Sequence, residues 1–227
     1  MMGALIATDM RLIARDRGLR VVIFGYLFVF LTASMLQCLG MFSSGNLSLN
    51  AGSLFTSLAA LQAALLGGIT PWLILHTSGQ ECEVSPVRWI AGASVSPKHF
   101  LLGRIVSLGI CFAEILSLSL PVFMLVWLFG ATSFLQIVWS LADTYTFLMT
   151  LMLFVLLIGI GGVHWAVSWI LSYLGLAVLG LAWIGMISAI DHASITLVFL
   201  LLLVLLGSLL LLGGSKKLTY IREAAGQ

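Results

Sequence analysis

The sequence predicts an all-α, polytopic membrane protein. It reads as six transmembrane helices, an N-terminal amphipathic helix on the membrane surface, and a cytoplasmic coupling helix between spans 2 and 3. Three observations carry this reading. Apolar residues make up 61% of the 227 and charged residues only 8%, where a soluble domain carries about a quarter charged. The apolar runs are long enough to cross about 30 Å of hydrocarbon at about 1.5 Å per helical residue. All ten Lys and Arg residues fall in segments that six crossings bring to one side.

Taken in order, residues 3–20 hold Asp9, Arg11, Arg15, Asp16, Arg17 and Arg20. At helical spacing Met2, Leu5, Ile6 and Ile13 share one side and Arg11 and Arg15 lie opposite, although Asp9 and Asp16 fall toward the apolar side. The segment is expected to lie along the cytoplasmic leaflet with its arginines reaching lipid headgroups; a polar terminus that merely holds topology is the alternative. The spans are expected at about 21–42, 54–77, 101–129, 144–165, 168–188 and 194–213. The first exceeds the apolar core of a cleavable signal, so it is expected to stay as a span.

Residues 1–20, 78–100 and 214–227, with Arg104 at a boundary, contain every Lys and Arg, while the opposite loops around 43–53, 130–143 and 189–193 contain none. By the positive-inside rule both termini are cytoplasmic, in the inner membrane of the cell. The whole of 1–227 reads as one transmembrane domain: surface helix 1–20, spans 1 and 2 over 21–77, loop 78–100, spans 3 to 6 over 101–213, and tail 214–227.

The loop 78–100 is the most informative stretch. Ser85-Pro86 and Ser96-Pro97 announce two helix starts, because a serine hydroxyl satisfies an orphan amide at the N-cap and proline suits the first helical position. A short helix from about Pro86 to Ala91, carrying Val87, Arg88 and Ile90 and preceded by Glu81 and Glu83, is expected before the third span. A charged, capped helix between two spans suits a docking surface for a soluble partner. The two glutamates would equally complement its dipole.

Within the spans, Glu114 stands out as a carboxylate about 15 Å along the helix from Arg104. An intramembrane charge is costly, so it is expected to face the bundle interior, a cavity or a partner, either on a substrate path or in a structural hydrogen bond. Gln37 and Gln62 read as interhelical glue. Ala59, Ala63 and Gly67, and likewise Ala60, Ala64 and Gly68, repeat at four residues, a spacing that lets helices approach closely. Pro121 is expected to kink the third span. Trp127, Trp139 and Trp183 read as interface belts. His76, His99, His164 and His192 are scattered without ligand spacing, and Cys38, Cys82 and Cys111 show no CxxC pattern, so neither a metal site nor a disulfide framework is expected. The small net charge of +2 without basic-aromatic interleaving gives no sign of nucleic acid as a partner.

The loop and the topology together resemble an ABC-2 type permease, the membrane subunit of an ATP-binding cassette exporter. The family's loop reads approximately E-R-E-x-G-T-L-E-L-L-L-A-S-P-V-S-R and ends in I-L-L-G-K. Glu81 and Glu83 fall on its acidic pair, Ile90 on a core leucine, Val95-Ser96 on V-S, and Leu101-Leu102-Gly103-Arg104 on L-L-G-K. Ser85 stands at the glycine, Arg88 at an acidic site, Ser94 at the proline, and Pro97 is displaced by three.

The resemblance implies a permease moving a hydrophobic or amphipathic substrate outward, with Glu81, Glu83, Val87, Arg88, Ile90, Ser96 and Pro97 coupling it to a separate ATPase subunit. It implies a second copy or a homologous permease as further partner, beside the membrane lipids. The chain has no GxxxxGK[ST] loop, so no cofactor is expected in it, and ATP and magnesium would be bound by the ATPase. No hydrolase motif is found: HExxH is absent, and Ser44-Gly45 lacks the preceding glycine of a strained serine turn. Alternatives from other classes are a non-translocating scaffold or biogenesis subunit, a haem-exporter-type permease of cytochrome c maturation, and a secondary transporter. The last is disfavoured by a single central carboxylate and the lack of broken polar helices.

Overall fold

A computed structural model describes residues 3, 6, 7, 11, 15–44, 47–83, 96–128, 133–160, 165–189 and 192–225. Among them there is no strand, and six helices are long and apolar enough to cross a membrane. The protein is a multi-pass helical membrane protein. Its elements are α1 (Arg17–Ser44), α2 (Leu47–Glu83), α3 (Pro97–Ser117), α4 (Leu120–Leu128), α5 (Phe134–Ile160), α6 (Trp165–Ala189), α7 (His192–Leu209), a π-helical turn (Leu210–Gly214) and α8 (Ser215–Ala225). Lipid leaves no water to satisfy backbone groups, so each apolar run closes its amide bonds within itself as helix.

The starts of these helices are written locally. Asp16 leaves the helical conformation and its carboxylate accepts from the Leu19 amide at 3.1 Å, capping α1. Gly3, Ile6, Ala7, Arg11 and Arg15 are helical, and Arg17–Arg20, expected in the N-terminal surface segment, belong to the first apolar helix. Ser96 is extended, accepts from the His99 amide at 3.4 Å and precedes Pro97 at the first helical turn, as its sequence signal predicts. Ser133 and Gln136 form a reciprocal capping box: the Gln136 side chain accepts from the Ser133 amide at 3.0 Å, and the Ser133 hydroxyl from the Gln136 amide at 3.2 Å.

That last cap changes the expected topology of the outer loop. Helix α5 begins at Phe134, so most of the loop expected at 130–143 is span. Likewise α2 runs from Leu47 through Glu83, beyond both ends expected for the second span. At 37 residues it is about 55 Å long, well over the hydrocarbon thickness. The tail expected after 213 is instead helix α8, held by Leu218 packing against Leu101 at the start of α3.

Helix α5 is the hub. It packs against α2, α3, α6 and α7, and two-thirds of its span is buried. Phe147 stacks on Trp183 of α6 with ring centroids 5.4 Å apart and meets Phe199 of α7 edge-on at 5.9 Å. Such pairs contribute about 0.5–1.5 kcal/mol each beyond area burial. Trp183 is therefore 5% exposed and belongs to the core, a correction to its reading as an interface belt residue. Trp127 does lie at the surface, edge-on to Phe134.

The two small-residue stripes of α2 part company. Ala59 and Ala63 are buried, and a Cβ on Gly67 would lie 3.1 Å from Leu176 and 3.3 Å from Phe147, so this stripe seats α2 against α5 and α6. Ala60 and Ala64 are exposed and Gly68 faces open space.

Candidate functional site

The third span is interrupted near Pro121, and one cluster of buried neutral polar side chains meets it there. Pro121 has no amide to bond the Ser117 carbonyl four residues back, and its ring crowds that position. The helix accordingly ends at Ser117, turns through Leu118 and Ser119, and restarts at Leu120. The Leu118 and Ser119 amides bond carbonyls three residues back, at 3.3 and 3.1 Å, and Val122 and Phe123 bond the Ser119 carbonyl. The expected kink is thus present, as a two-residue turn through which the chain stays helically hydrogen-bonded, the Leu118 amide also reaching the Glu114 carbonyl at 3.3 Å.

Side chains from two other spans converge on it. Gln62 of α2 donates from Nε2 to the Ser119 hydroxyl at 2.5 Å, and that hydroxyl donates to the Leu116 carbonyl at 2.7 Å. The Tyr26 phenol of α1 is buried beside the Gln62 amide and the Ser119 hydroxyl. Phe30, Phe55 and Phe123 pack around the cluster, with Phe30 stacked on Tyr26 at 5.9 Å and Phe123 edge-on to Phe55 at 5.8 Å. Gln62 and Ser119 are at most 1% exposed. This arrangement has hydrogen-bonding capacity but no charge and no nucleophile paired with a base. It ties spans 1 and 2 to the break in span 3. Gln37 bonds across helices too, accepting from the Ser57 hydroxyl at 3.1 Å.

A second polar seam lies between α5 and α7. Asp143 is fully buried and accepts a hydrogen bond from the Thr196 hydroxyl at 2.5 Å. Thr144, Thr146 and Thr150 are buried near it on α5, and each hydroxyl donates to a carbonyl one turn back. The Thr150 hydroxyl also reaches the Phe199 carbonyl at 3.4 Å. Asp143 was placed by sequence in an outer loop; it is the one buried carboxylate among the described residues. Glu114, expected to face the bundle interior, a cavity or a partner, is exposed on α3, outside the bundle interior.

Of the residues expected to couple to a partner, Ser96 and Pro97 start α3 at its exposed end. Glu81 and Glu83 lie on the last turn of α2, their side chains outside the described set. Val87, Arg88 and Ile90, and with them the expected short helix, lie outside the described residues, as does Asp9. Arg11 and Arg15 are exposed. Arg104 is 6% exposed, buried where α3 leaves the basic end. Cys111 is a buried free thiol. Among the described residues no three His, Cys, Asp or Glu side chains gather to hold a metal.

The chain was compared with protein-family models, curated proteins and solved structures, and none of them matches it.

Proposed function

We propose that the chain is the membrane-spanning subunit of an ATP-driven exporter of the ABC-2 type, moving a hydrophobic or amphipathic substrate with a separate ATPase. The observation that carries this reading is α2: one continuous helix about 55 Å long, well over the hydrocarbon thickness, that ends at Glu83, where the charged stretch of the sequence begins. A helix of that length connects a loop outside the membrane to the core packing of Ala59, Ala63 and Gly67 without a joint other than Pro71. Movement of the loop would therefore be felt at Gln62 and at the broken third span. The positive-inside rule assigns the loop and both termini to the cytoplasm, where the nucleotide is.

A chain of six spans without a nucleotide loop would need a second permease and two ATPases. Native mass spectrometry of the tagged protein, purified from its own membrane, is expected to give two copies of this chain with two ATPase subunits. ATP hydrolysis in that complex should fall when Glu83→Lys is combined with Arg88→Glu. A lone monomer whose preparation hydrolyses no ATP overturns the reading. The broken span and the buried Asp143 favour one second reading, a secondary transporter driven by an ion gradient. Substrate movement in vesicles that follows an imposed proton gradient without ATP would select it.

A further inference from the structure

At the basic end of the bundle the first turn of α3 and the helix α8 border an open surface cleft of about 440 Å³. Lys98 enters it from α3 and Lys216 from α8, and Ser96, Thr219, Tyr220 and Glu223 complete most of its wall. The elements that make the cleft are pinned. Leu218 packs inward on Leu101, and Gly214 permits close approach, since a Cβ there would meet Leu101 at 3.3 Å. The wide π turn over Leu210–Gly214 shifts the register of α8 relative to α7, so the final helix turns its lysine toward α3.

We propose that this cleft binds the phosphodiester headgroup of an anionic membrane lipid. The charge is cationic on two sides: both ammonium groups line the cleft, and no hydrogen bond or ion pair engages either among the described residues. The N-terminal end of α3 adds the positive pole of its dipole. The hydroxyl protons of Ser215 and Thr219 go to the Leu212 and Ser215 carbonyls, so the two lysines and the Tyr220 phenol are left to hold an anion. Glu223 also lines the cleft and lowers its net positive charge, which suits a singly charged diester better than a doubly charged monoester.

The position selects lipid over a soluble phosphate. The cleft lies where the spans Pro97–Leu128 and Ser194–Tyr220 begin and end, at the level of the headgroups. Lys98 and the exposed Leu102 lie one turn apart on α3, and exposed Leu205, Leu209 and Leu212 precede Lys216, giving acyl chains an apolar surface that continues from the cationic one. Tyr220 is 72% exposed at the same level, as an interfacial aromatic should be. This inference depends on the membrane-spanning fold and stands whether or not an ATPase partner exists.

The test uses the full chain reconstituted in phosphatidylcholine vesicles containing phosphatidylglycerol, re-extracted in mild detergent and weighed by native mass spectrometry. The expected result is retention of phosphatidylglycerol over phosphatidylcholine. A lysine near an anionic surface strengthens attachment about fivefold, so Lys98→Gln with Lys216→Gln should lower that retention about twenty-five-fold. Lys216→Gln alone should lower it about fivefold, which keeps the test available if the double variant folds poorly. Lys217→Gln, on the same helix but outside the cleft, should leave it unchanged. Equal retention of the two lipids, or an equal loss with Lys217→Gln, overturns the proposal. Displacement of the bound lipid by excess inorganic phosphate also overturns it, in favour of a soluble phosphate ligand.

Discussion

Among the described glycines, Gly175 has the least room for a side chain. A Cβ on it would overlap the Phe154 ring of α5, with Cδ1 at 2.7 Å. Gly175→Ala must therefore push an aromatic ring out of the α5–α6 contact, and overpacking of this kind costs about 1–3 kcal/mol. Gly68→Ala, facing open space on α2, should instead be neutral or stabilise by about 0.5–1 kcal/mol, since alanine is the better helix former. Thermal unfolding in detergent, followed by far-ultraviolet circular dichroism, should move in opposite directions for the two. A similar contrast applies to Asp143. Leucine there leaves the Thr196 hydroxyl without its acceptor, whereas asparagine keeps an oxygen in place. Interhelical hydrogen bonds in membranes are worth about 0.6–1.7 kcal/mol, so Asp143→Leu should destabilise by about that much more than Asp143→Asn.

At the scale of elements, the break in the third span makes the sharper prediction. Pro121→Ala restores the amide that the Ser117 carbonyl lacks and lets α3 and α4 join, so stability should rise, and the transport proposed above should fall. Thermal midpoint and substrate flux in reconstituted vesicles measure the two; flux unchanged at higher stability would reduce the break to mere shape. Gln62→Leu and Ser119→Ala, singly and together, should show a coupling energy of about 1 kcal/mol, because they form one interhelical bond. How far these elements could be read from sequence depended on how local their cause is. Ser96-Pro97 was legible because a cap needs only its own turn. The capping box of Ser133 and Gln136 was equally local, but it sits in a stretch read as loop because the hydrophobic run thickens only after Asp143. Missing it hid Asp143 from the search for intramembrane charge. Trp183 was misplaced for a different reason: in lipid both the core and the outside are apolar, so helical periodicity does not say which face is inward. Its burial is decided by a partner far along the chain, Phe147.

For the whole molecule, spans 1, 5 and 6 keep about four-fifths of their residues outside the buried core while span 4 is mostly inside, so a hub helix is surrounded by helices that face lipid or other subunits. Val21, Phe24 and Phe28 on α1 are each about 70% exposed, an apolar surface that only hydrocarbon or a further helix can cover. The direction in which we propose this bundle crosses the membrane rests on charge: the segments proposed to lie at the cytoplasmic end hold all ten Lys and Arg of the sequence. Cys82 reports on that end. It lies seven residues beyond Leu75, the last residue of the second apolar span, and so about 10 Å further along α2. In a variant with Cys38 and Cys111 replaced by serine and alanine, a membrane-impermeant maleimide should label Cys82 in inverted vesicles and leave it unlabelled in intact cells. Labelling from outside the cell would place Glu83 and the charged loop away from the cytoplasmic nucleotide, and an ATPase could then no longer drive α2.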